Sequence, residues 1–498
     1  MLRWILLGLH LRGIRIAPMP VLPDGRAFFV AGLLIALLCR PASAQRMVFA
    51  HYMLANQDYQ GDSSQEAKIA SYEREILQAH SLGIDGFALN AGGWLRQPYY
   101  IEYAAQMFEA AVRLNNGFKL MFSADMCCGN NAADVEDMMR RFAGNPRYAR
   151  VYFRWRGRFV LTTFGGDKEG ITFWKKVRSD LATGADPSAS IEPRVRLNAA
   201  EAPSNAPLRI FLVPAFFWGG ERPTRAEIQR GFEQWESAID GSFYWGIAGV
   251  PGSGDGLDQL GSSEAYALEA RRSHKRYMAP VAPQFWGSNA NRYYEYSGGK
   301  GIRRMWMDAI QKSHPQWVEI LTWNDFIEGT YVSPIDDPNR YPNANYLTES
   351  GVPLGTLHYF HNHGAAGQLM RFFIYWYKTG REPAIRSDEV YWFYRTQSFH
   401  DDAGIPLVQH KYGPVADEIY ITANLTARAV LVVRCGQHRY TANLPTGSSD
   451  ASLPFFPCAT PVFTLMRDGR RISEARGMDR IRSAPHWNNY YYSTGRME

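Results

Sequence analysis

Two carboxyl residues three positions apart, Asp325 and Glu328, form the sharpest chemical pattern in the sequence. Trp323 and Asn324 precede them directly. In a helix this spacing separates the Cβ atoms by about 5–6 Å, whereas an extended chain covers about 10 Å in three residues. Hydrolysis of a glycosidic bond with inversion needs an acid and a base about 6.5–9.5 Å apart. The pair therefore fits an acid–base catalyst, and solvated loop residues are the alternative interpretation.

Other polar and aromatic residues along the chain suit a carbohydrate ligand, because rings stack on sugar faces while polar groups bond to hydroxyls. We predict that the substrate is bound by His51, Asn90, Asp125, Trp218, Asp240, Trp245, Trp286, Trp323, Asn324 and Tyr331. The alternative for Trp218, Trp245, Trp286 and His51 is a core position, and the alternative for Asn90 and Asp125 is the capping of a turn or loop. The sequence lacks a His-Glu-x-x-His pair, a Cys-x-x-Cys motif and a phosphate loop, so we expect no metal ion or other cofactor.

The elements that would position these residues alternate regularly from residue 47 onward. Apolar strand-like runs are followed by segments with helical periodicity, and eight such units predict a (β/α)₈ barrel. The predicted strands are 48–53, 84–90, 118–126, 159–164, 210–218, 243–248, 277–285 and 318–323. Catalytic residues of such barrels lie at the carboxyl ends of the strands, which is where most of the candidates fall.

The sequence pattern changes near residue 383. Short β-branched and aromatic runs separated by Gly, Asn, Asp and Pro predict a small β-sandwich over 383–498, packed directly on the barrel of 45–382. Tyr490, Tyr491, Tyr492 and Trp487 form either a sugar-binding platform or a packing surface. Cys435 and Cys458 flank strand-like segments and are able to pair, whereas adjacent cysteines at 127 and 128 are poor partners for each other.

The N-terminus has the pattern of a secretory signal peptide. An apolar run over 28–38 follows Arg26 and precedes Ala42-Ser43-Ala44, so we predict cleavage after Ala44. An uncleaved N-terminal anchor is the alternative. The expected location is outside the cell or in the periplasm, with no membrane attachment after cleavage.

Composition agrees with a folded, carbohydrate-active protein. Of 498 residues, 46% are hydrophobic and 20% charged, which excludes a largely disordered chain. The 14% aromatic content is high and suits sugar binding as well as cores. The formal net charge of +6 falls to +2 without residues 1–44, which contain five arginines and one aspartate. Nucleic acid is therefore not an expected partner, whereas a polysaccharide is, and we expect a monomer.

Six blocks of sequence occur in the order of a known family. They are Val-Phe-Ala-His-Tyr-Met (48–53), Gly-Ile-Asp-Gly-Phe-Ala-Leu-Asn (83–90), the segment 117–126 ending Ser-Ala-Asp-Met, Asp-Gly with a later Trp (240–245), Tyr-Met-Ala-Pro-Val-Ala-Pro (277–283) and Glu-Ile-Leu-Thr-Trp-Asn-Asp (319–325). In these blocks the sequence resembles glycoside hydrolase family 71, the α-1,3-glucanases or mutanases. The resemblance implies inverting, metal-independent hydrolysis of α-1,3-glucan by Asp325 and Glu328. We assign Glu328 as the general acid and Asp325 as the general base.

Several residues near the predicted substrate depart from the family pattern. Ile327 and Gly329 stand where a small or polar residue and a serine are expected, and Gln284-Phe285-Trp286 replaces Trp-Phe-Tyr. The pair Cys127-Cys128 is also unusual. The Asn-Asp-x-x-Glu-Gly-Thr-Tyr stretch resembles the endo-α-mannosidase-like barrels of family 99 as well. A family 99-like hydrolase and a non-catalytic glycan-binding barrel are therefore the alternative functions.

Overall fold

The computed structural model describes residues 46–55, 64–184, 203–246, 254–287, 292–335, 361–404, 409–413, 416–483 and 488–498. The predicted signal peptide and Trp487 lie outside the described residues, and so do parts of the predicted strand 243–248. None of the helices in the described ranges has both the length and the apolar composition that a membrane span requires.

Strands and helices alternate through the first two thirds of the chain, as predicted. The strands are β1 Met47–Met53, β2 Gly86–Gly92, β3 Lys119–Asp125, β4 Arg154–Trp155, β5 Arg158–Phe164, β6 Ile210–Ala215, β7 Gly241–Phe243, β8 Arg276–Val281, β9 Phe285–Gly287, β10 Arg292–Tyr294 and β11 Trp317–Ile320. The helices are α1 Gln65–Ser81, α2 Tyr99–Leu114, α3 Ala132–Met138, α4 Gly170–Thr183, α5 Arg225–Trp235, α6 Gln259–Arg272, α7 Gly299–Asp308 and α8 Gly364–Thr379. One π-helical turn each follows α3 (Met139–Ala143) and α7 (Ala309–Ser313).

Within the described residues, nine of these strands form one curled and mostly parallel sheet. The strand order is β6–β5–β3–β2–β1–β11–β8–β7, and the short β4 lies antiparallel to β5. At the two ends of this order, the Asp240 N–H donates to the Leu212 carbonyl at 2.8 Å, and the Leu212 N–H donates to Asp240 Oδ2 at 3.0 Å. The protein is thus a mixed α/β fold in which equivalent strand ends share one rim of the sheet.

Local sequence explains where these elements begin and end. Strands buried on both faces are largely apolar, as in β2, where all seven residues are buried and only Asn90 near the carboxyl end is polar. Helix α5 begins with a capping box, in which the Thr224 hydroxyl accepts the Glu227 N–H and the Glu227 carboxylate accepts the Thr224 N–H. The predicted strand 277–285 is too long, because β8 ends at Val281. The last residue of the predicted strand, Phe285, begins β9 instead, which forms a small sheet with β10 and a later strand, β13 (His410–Tyr412).

The C-terminal part contains antiparallel strands, as its composition predicts. They are β12 Glu389–Arg395, β14 Glu418–Leu425, β15 Ala429–Cys435, β16 His438–Leu444, β17 Gly447–Pro454, β18 Val462–Arg467, β19 Arg470–Arg476 and β20 Tyr492–Met497. In the described residues they pair as β17–β14–β12–β20 and as β16–β15–β18–β19. Side chains from both sheets share one apolar cluster, in which Trp392 stacks on Phe463 with ring centroids 4.3 Å apart. A disulfide joins Cys435 to Cys458, whose Cα atoms are 5.5 Å apart.

Candidate active site

The carboxyl ends of adjacent strands bring four of the predicted residues to one rim. His51 and Asn90 lie at the ends of β1 and β2, Asp125 is the last residue of β3, and Asp325 follows β11. These strands are neighbours in the sheet, with Met53 aligned to Asn90. All four side chains are buried, with residue exposures of 8% or less. Parallel pairing therefore assembles polar groups that are hundreds of residues apart in the chain.

The loop after β11 holds its two carboxyl groups in a tight turn. The Asp325 N–H donates to Thr322 Oγ1 at 2.8 Å. Asp325 Oδ1 then accepts the backbone N–H groups of Ile327 at 3.1 Å and of Glu328 at 3.0 Å. This turn fixes the Asp325 carboxylate by two backbone donors and places Glu328 beside it, three residues further on.

The two carboxyl groups differ in electrostatic environment. Burial and the nearby Asp325 charge raise the pKa of Glu328 to about 8, against a smaller lowering by Arg292. The pKa of Asp325 is also raised by burial, but the N–H groups of Glu328 and Ile327 and the charge of His51 favour its ionised form. Repulsion between close carboxylates disfavours double ionisation. The arrangement can therefore hold a proton on Glu328 while Asp325 is ionised.

A buried glutamate that the sequence reasoning missed supports His51. Glu319 lies within β11, and its Oε1 shares a hydrogen bond of 2.7 Å with His51 Nδ1. Both residues are fully buried, and burial raises the pKa of Glu319. The other ring nitrogen, Nε2, has no hydrogen-bond partner among the described residues. An acidic residue inside the apolar run Trp-Val-Glu-Ile-Leu was the available signal, since an isolated buried charge is costly.

Asn90 and Asp125 contact each other beneath the same rim. The Asn90 side-chain amide donates to Asp125 Oδ2 at 3.4 Å, and Asp125 Oδ1 accepts the Cys128 N–H at 3.0 Å. The bond from the Cys128 N–H caps the turn after β3, which is the alternative role predicted for Asp125. The capping contact and the position on the rim are compatible, because they use different oxygens of one carboxylate.

Trp323, Asn324 and Tyr331 attach the loop after β11 to its surroundings. Asn324 pairs with the backbone of Met53, accepting its N–H at 2.7 Å and donating to its carbonyl at 3.1 Å. Trp323 Nε1 donates to Glu75 of α1 at 2.8 Å, and the ring is fully buried. The Tyr331 hydroxyl donates to the His361 carbonyl at 2.5 Å from a fully buried position. These contacts hold the loop after β11 against β1, α1 and the segment at His361.

The C-terminal tyrosines pack directly under this loop. Tyr490, Tyr491 and Tyr492 are 3% exposed or less. The Tyr491 hydroxyl donates to the carbonyl of Phe326 at 2.5 Å, between the two carboxyl residues. Gly329 has a φ of +65°, and a Cβ there would lie 2.2 Å from the Tyr491 ring. In the structure these tyrosines therefore form a packing surface, which was the alternative to a sugar-binding platform.

Of the remaining predicted substrate-binding residues, Asp240 lies away from the rim, whereas Trp218 and Trp286 are buried in contacts with other rings. Asp240 precedes β7, at the amino ends of the strands, and pairs with Arg158 at 2.7 Å, so the prediction that it lies at the site is corrected. Trp218 stacks parallel to Tyr266 against α5 and α6, with 7% exposure. Trp286 is fully buried against Tyr491. The predicted strand 243–248 and the observed β7 both begin after Asp240, so the nearness of Asp240 to Trp245 in the sequence was the misleading signal.

A row of aromatic rings extends from His51 along the rim. Trp245 is half-buried and contacts the His51 ring edge at 4.7 Å and Phe164 at 4.6 Å between centroids. Phe164 in turn contacts Phe217 at 5.1 Å, and Phe217 is 37% exposed. Sequence reasoning found Trp245 but missed both phenylalanines, which follow β6 or end β5 like many core residues. An exposed ring in this row is suited to stacking on a sugar.

Metal coordination has no candidate within the described part of the chain, where three His, Cys, Asp or Glu side chains do not converge on one point. The carboxyl pair at a strand-end rim, beside aromatic rings, is the constellation of a glycoside hydrolase. Residues 44–497 match the model of glycosyl hydrolase family 71. The chain therefore belongs to glycosyl hydrolase family 71 and is a glycoside hydrolase.

Curated relatives extend over almost the whole chain. The sequence is 27% identical to a glucan endo-1,3-alpha-glucosidase of Schizosaccharomyces pombe over 93% of this chain and 97% of the relative. It is 24% identical to a mutanase of Penicillium rubens over 90% and 88% of the two chains. Among solved structures, the GH99 endo-alpha-mannosidase of Bacteroides thetaiotaomicron matches with a TM-score of 0.46 at 11% identity, covering 68% of this chain and 98% of that chain. That structural similarity is too low to assign a fold or a substrate.

Proposed function

We propose that the protein hydrolyses α-1,3-glucosidic bonds within α-1,3-glucan, with inversion at the anomeric carbon. The match to family 71 across residues 44–497 carries this proposal, together with relatives named as a glucan endo-1,3-alpha-glucosidase and a mutanase. The carboxyl pair supplies the two groups that such a reaction needs.

In the proposed mechanism, Glu328 protonates the leaving glycosidic oxygen while Asp325 accepts a proton from water. The water oxygen forms a bond to the anomeric carbon as the bond to the leaving oxygen breaks. A pKa of about 8 keeps Glu328 protonated at neutral and acidic pH, as a general acid requires. Two backbone N–H donors favour the ionised form of Asp325, as a general base requires.

Binding residues are assigned from their place on the rim. Asn90 and Asp125 are proposed to bond to sugar hydroxyls, and Trp245 to stack on a sugar ring, with the exposed Phe217 extending this surface. His51 is proposed to position the reacting groups, because it bonds to Glu319 and its charge favours ionised Asp325.

The proposed architecture around the site is a closed (β/α)₈ barrel over 45–382 and a β-sandwich over 383–498 that supports it. The two hydrogen bonds between Asp240 and Leu212 support closure. Contacts between the two parts include Thr494 Oγ1 donating to the Asn362 carbonyl at 2.6 Å. A soluble, active protein truncated after 382 would contradict the supporting role.

We propose that residues 1–44 direct secretion and that the mature protein acts on polysaccharide as a monomer. The relatives include an ascus wall endo-1,3-alpha-glucanase of Schizosaccharomyces pombe, 26% identical over 63% of this chain. The mass of the exported protein tests the cleavage site, which is expected before Gln45. Retention of residues 1–44 would favour the anchor, and light scattering during gel filtration tests the monomer.

The decisive experiment measures reducing ends released from insoluble α-1,3-glucan. Wild-type protein should release them, whereas Asp325→Asn and Glu328→Gln should not, at nearly unchanged melting temperatures. Proton NMR of the first product should show the inverted β-anomer. Binding of the polymer without release would favour the non-catalytic alternative. Release from α-mannan in place of α-glucan would favour the family 99-like alternative.

A further inference from the structure

A basic cavity lies at the amino ends of the strands, away from the carboxyl rim. Its volume is about 420 Å³, and its walls include Trp155, Phe211 and the start of β8. Its charged lining groups are Arg156, Arg158, Asp240, Arg271, Lys275 and Arg276. Five cations and one carboxylate give these groups a net charge of +4, whereas the chain after residue 44 has only +2. Positive charge is therefore concentrated at this cavity.

The one lining carboxylate is already occupied by protein groups. Asp240 Oδ1 pairs with Arg158 at 2.7 Å, and Oδ2 pairs with Arg178 at 3.1 Å and accepts the Leu212 N–H at 3.0 Å. Arg178, on α4, pairs with Asp240 but does not line the cavity. Asp240 is thus shared between two guanidinium groups and leaves the remaining cations uncompensated.

Of the other cations, two bond to backbone carbonyls and two have no carboxylate partner in the described part of the chain. Arg271 donates to the Ser313 carbonyl at 2.7 Å, and Lys275 donates to the carbonyls of Glu236 and Ile239 at 2.6 and 2.9 Å. Arg156 and Arg276 have no carboxylate partner among the described residues.

The Arg276 guanidinium lies over the Trp155 ring, 4.8 Å from the ring centroid. Burial, and then the charge of Arg156, lower the pKa of Arg276, and burial lowers that of Lys275. These cations are thus held close together at an electrostatic cost.

We propose that this cavity binds a multiply charged oxyanion of the phosphate or sulfate class. Guanidinium groups recognise such anions through paired N–H donors, and clustered cations attract multivalent anions more than monovalent ones. The site begins at the amino ends of β7 and β8, so a bound anion would not compete with a glycan at the carboxyl ends. The same chemistry is presented by a free anion and by a phosphate or sulfate group on a polymer.

Calorimetric titration of the full chain with pyrophosphate tests the proposal. We expect saturable binding, and a rise in melting temperature larger than that produced by sodium chloride at equal ionic strength. The double variant Arg156→Gln/Arg276→Gln should weaken binding at least tenfold while glucan hydrolysis stays unchanged. The matched control Arg439→Gln, an exposed position on β16, should bind normally.

The separate variant Arg276→Lys keeps the charge and the fold but loses the paired donors, so it should bind more weakly than wild type. Tighter binding of dextran sulfate than of pyrophosphate would support the polymer-borne form of the oxyanion. The proposal is overturned if pyrophosphate gives no saturable heat, if chloride stabilises equally, or if the Gln and Lys variants bind as tightly as the wild type.

Discussion

The protonation state of Glu328 should set the alkaline limit of activity. With a pKa of about 8, the carboxyl group is about 99% protonated at pH 6, whereas at the ordinary value of 4.5 it would be about 3% protonated. The environment of Glu328 therefore increases the acid form about 30-fold at that pH. We expect kcat/KM on soluble α-1,3-glucan oligosaccharides to fall with a midpoint near pH 8.

The substitution Glu328→Gln distinguishes the role of the general acid from that of the general base. Loss of the acid should lower glucan hydrolysis by about 10²–10⁴-fold. A glycosyl fluoride of an α-1,3-glucan oligosaccharide needs no protonation of its leaving group, so this variant should retain most of its activity on it, measured by fluoride release. Asp325→Asn should lose activity on both substrates, because the attacking water still needs a base.

Arg292→Gln tests the electrostatic origin of the raised pKa. The Arg292 charge favours the Glu328 carboxylate and lowers its pKa, so its removal should move the alkaline limb of the pH profile upward. Arg225→Gln at the start of α5 is the matched control, and it should leave the limb in place. The reasoning is refuted if the wild-type limb lies near pH 5, if the Arg292 variant moves it downward, or if Glu328→Gln loses both substrates equally.

Three further substitutions test the supports of the site and the fold. Glu319→Gln should lower kcat about 10- to 100-fold with little change in KM. The reason is that His51 loses the charge of its partner, and a hydrogen bond to a charged group contributes about 1.5–3 kcal/mol. An unchanged kcat would contradict the positioning role. Tyr491→Phe leaves a buried loop carbonyl without its donor and should cost about 1–3 kcal/mol in urea unfolding, with reduced kcat. Replacing both Cys435 and Cys458 by serine should lower the free energy of unfolding by about 3 kcal/mol, because their link closes a loop with a separation of 23 residues. Equal midpoints for this variant and the wild type would contradict that estimate.

Periodicity predicted the alternating elements because each strand buried on both faces is a largely apolar run. It also predicted that His51, Asn90 and Asp125 lie near the carboxyl ends of β1, β2 and β3, which is where the structure has them. The short β7 shows where this reasoning fails: Asp240 was grouped with Trp245 because the two are close in sequence, although Asp240 precedes the strand and lies at its amino end. A boundary depends on ladder partners that are distant in sequence.

Residue types and spacing along the chain were enough to indicate the carboxyl pair, since the turn from Asp325 to Glu328 is local. Tertiary packing decided the rest of the site. Glu319 faces His51, and Tyr491 supports the loop, only because parallel pairing and the returning C-terminal strand bring them there. The difference in pKa between the two carboxyl groups has the same origin, because burial and neighbouring charge depend on every element packed around them.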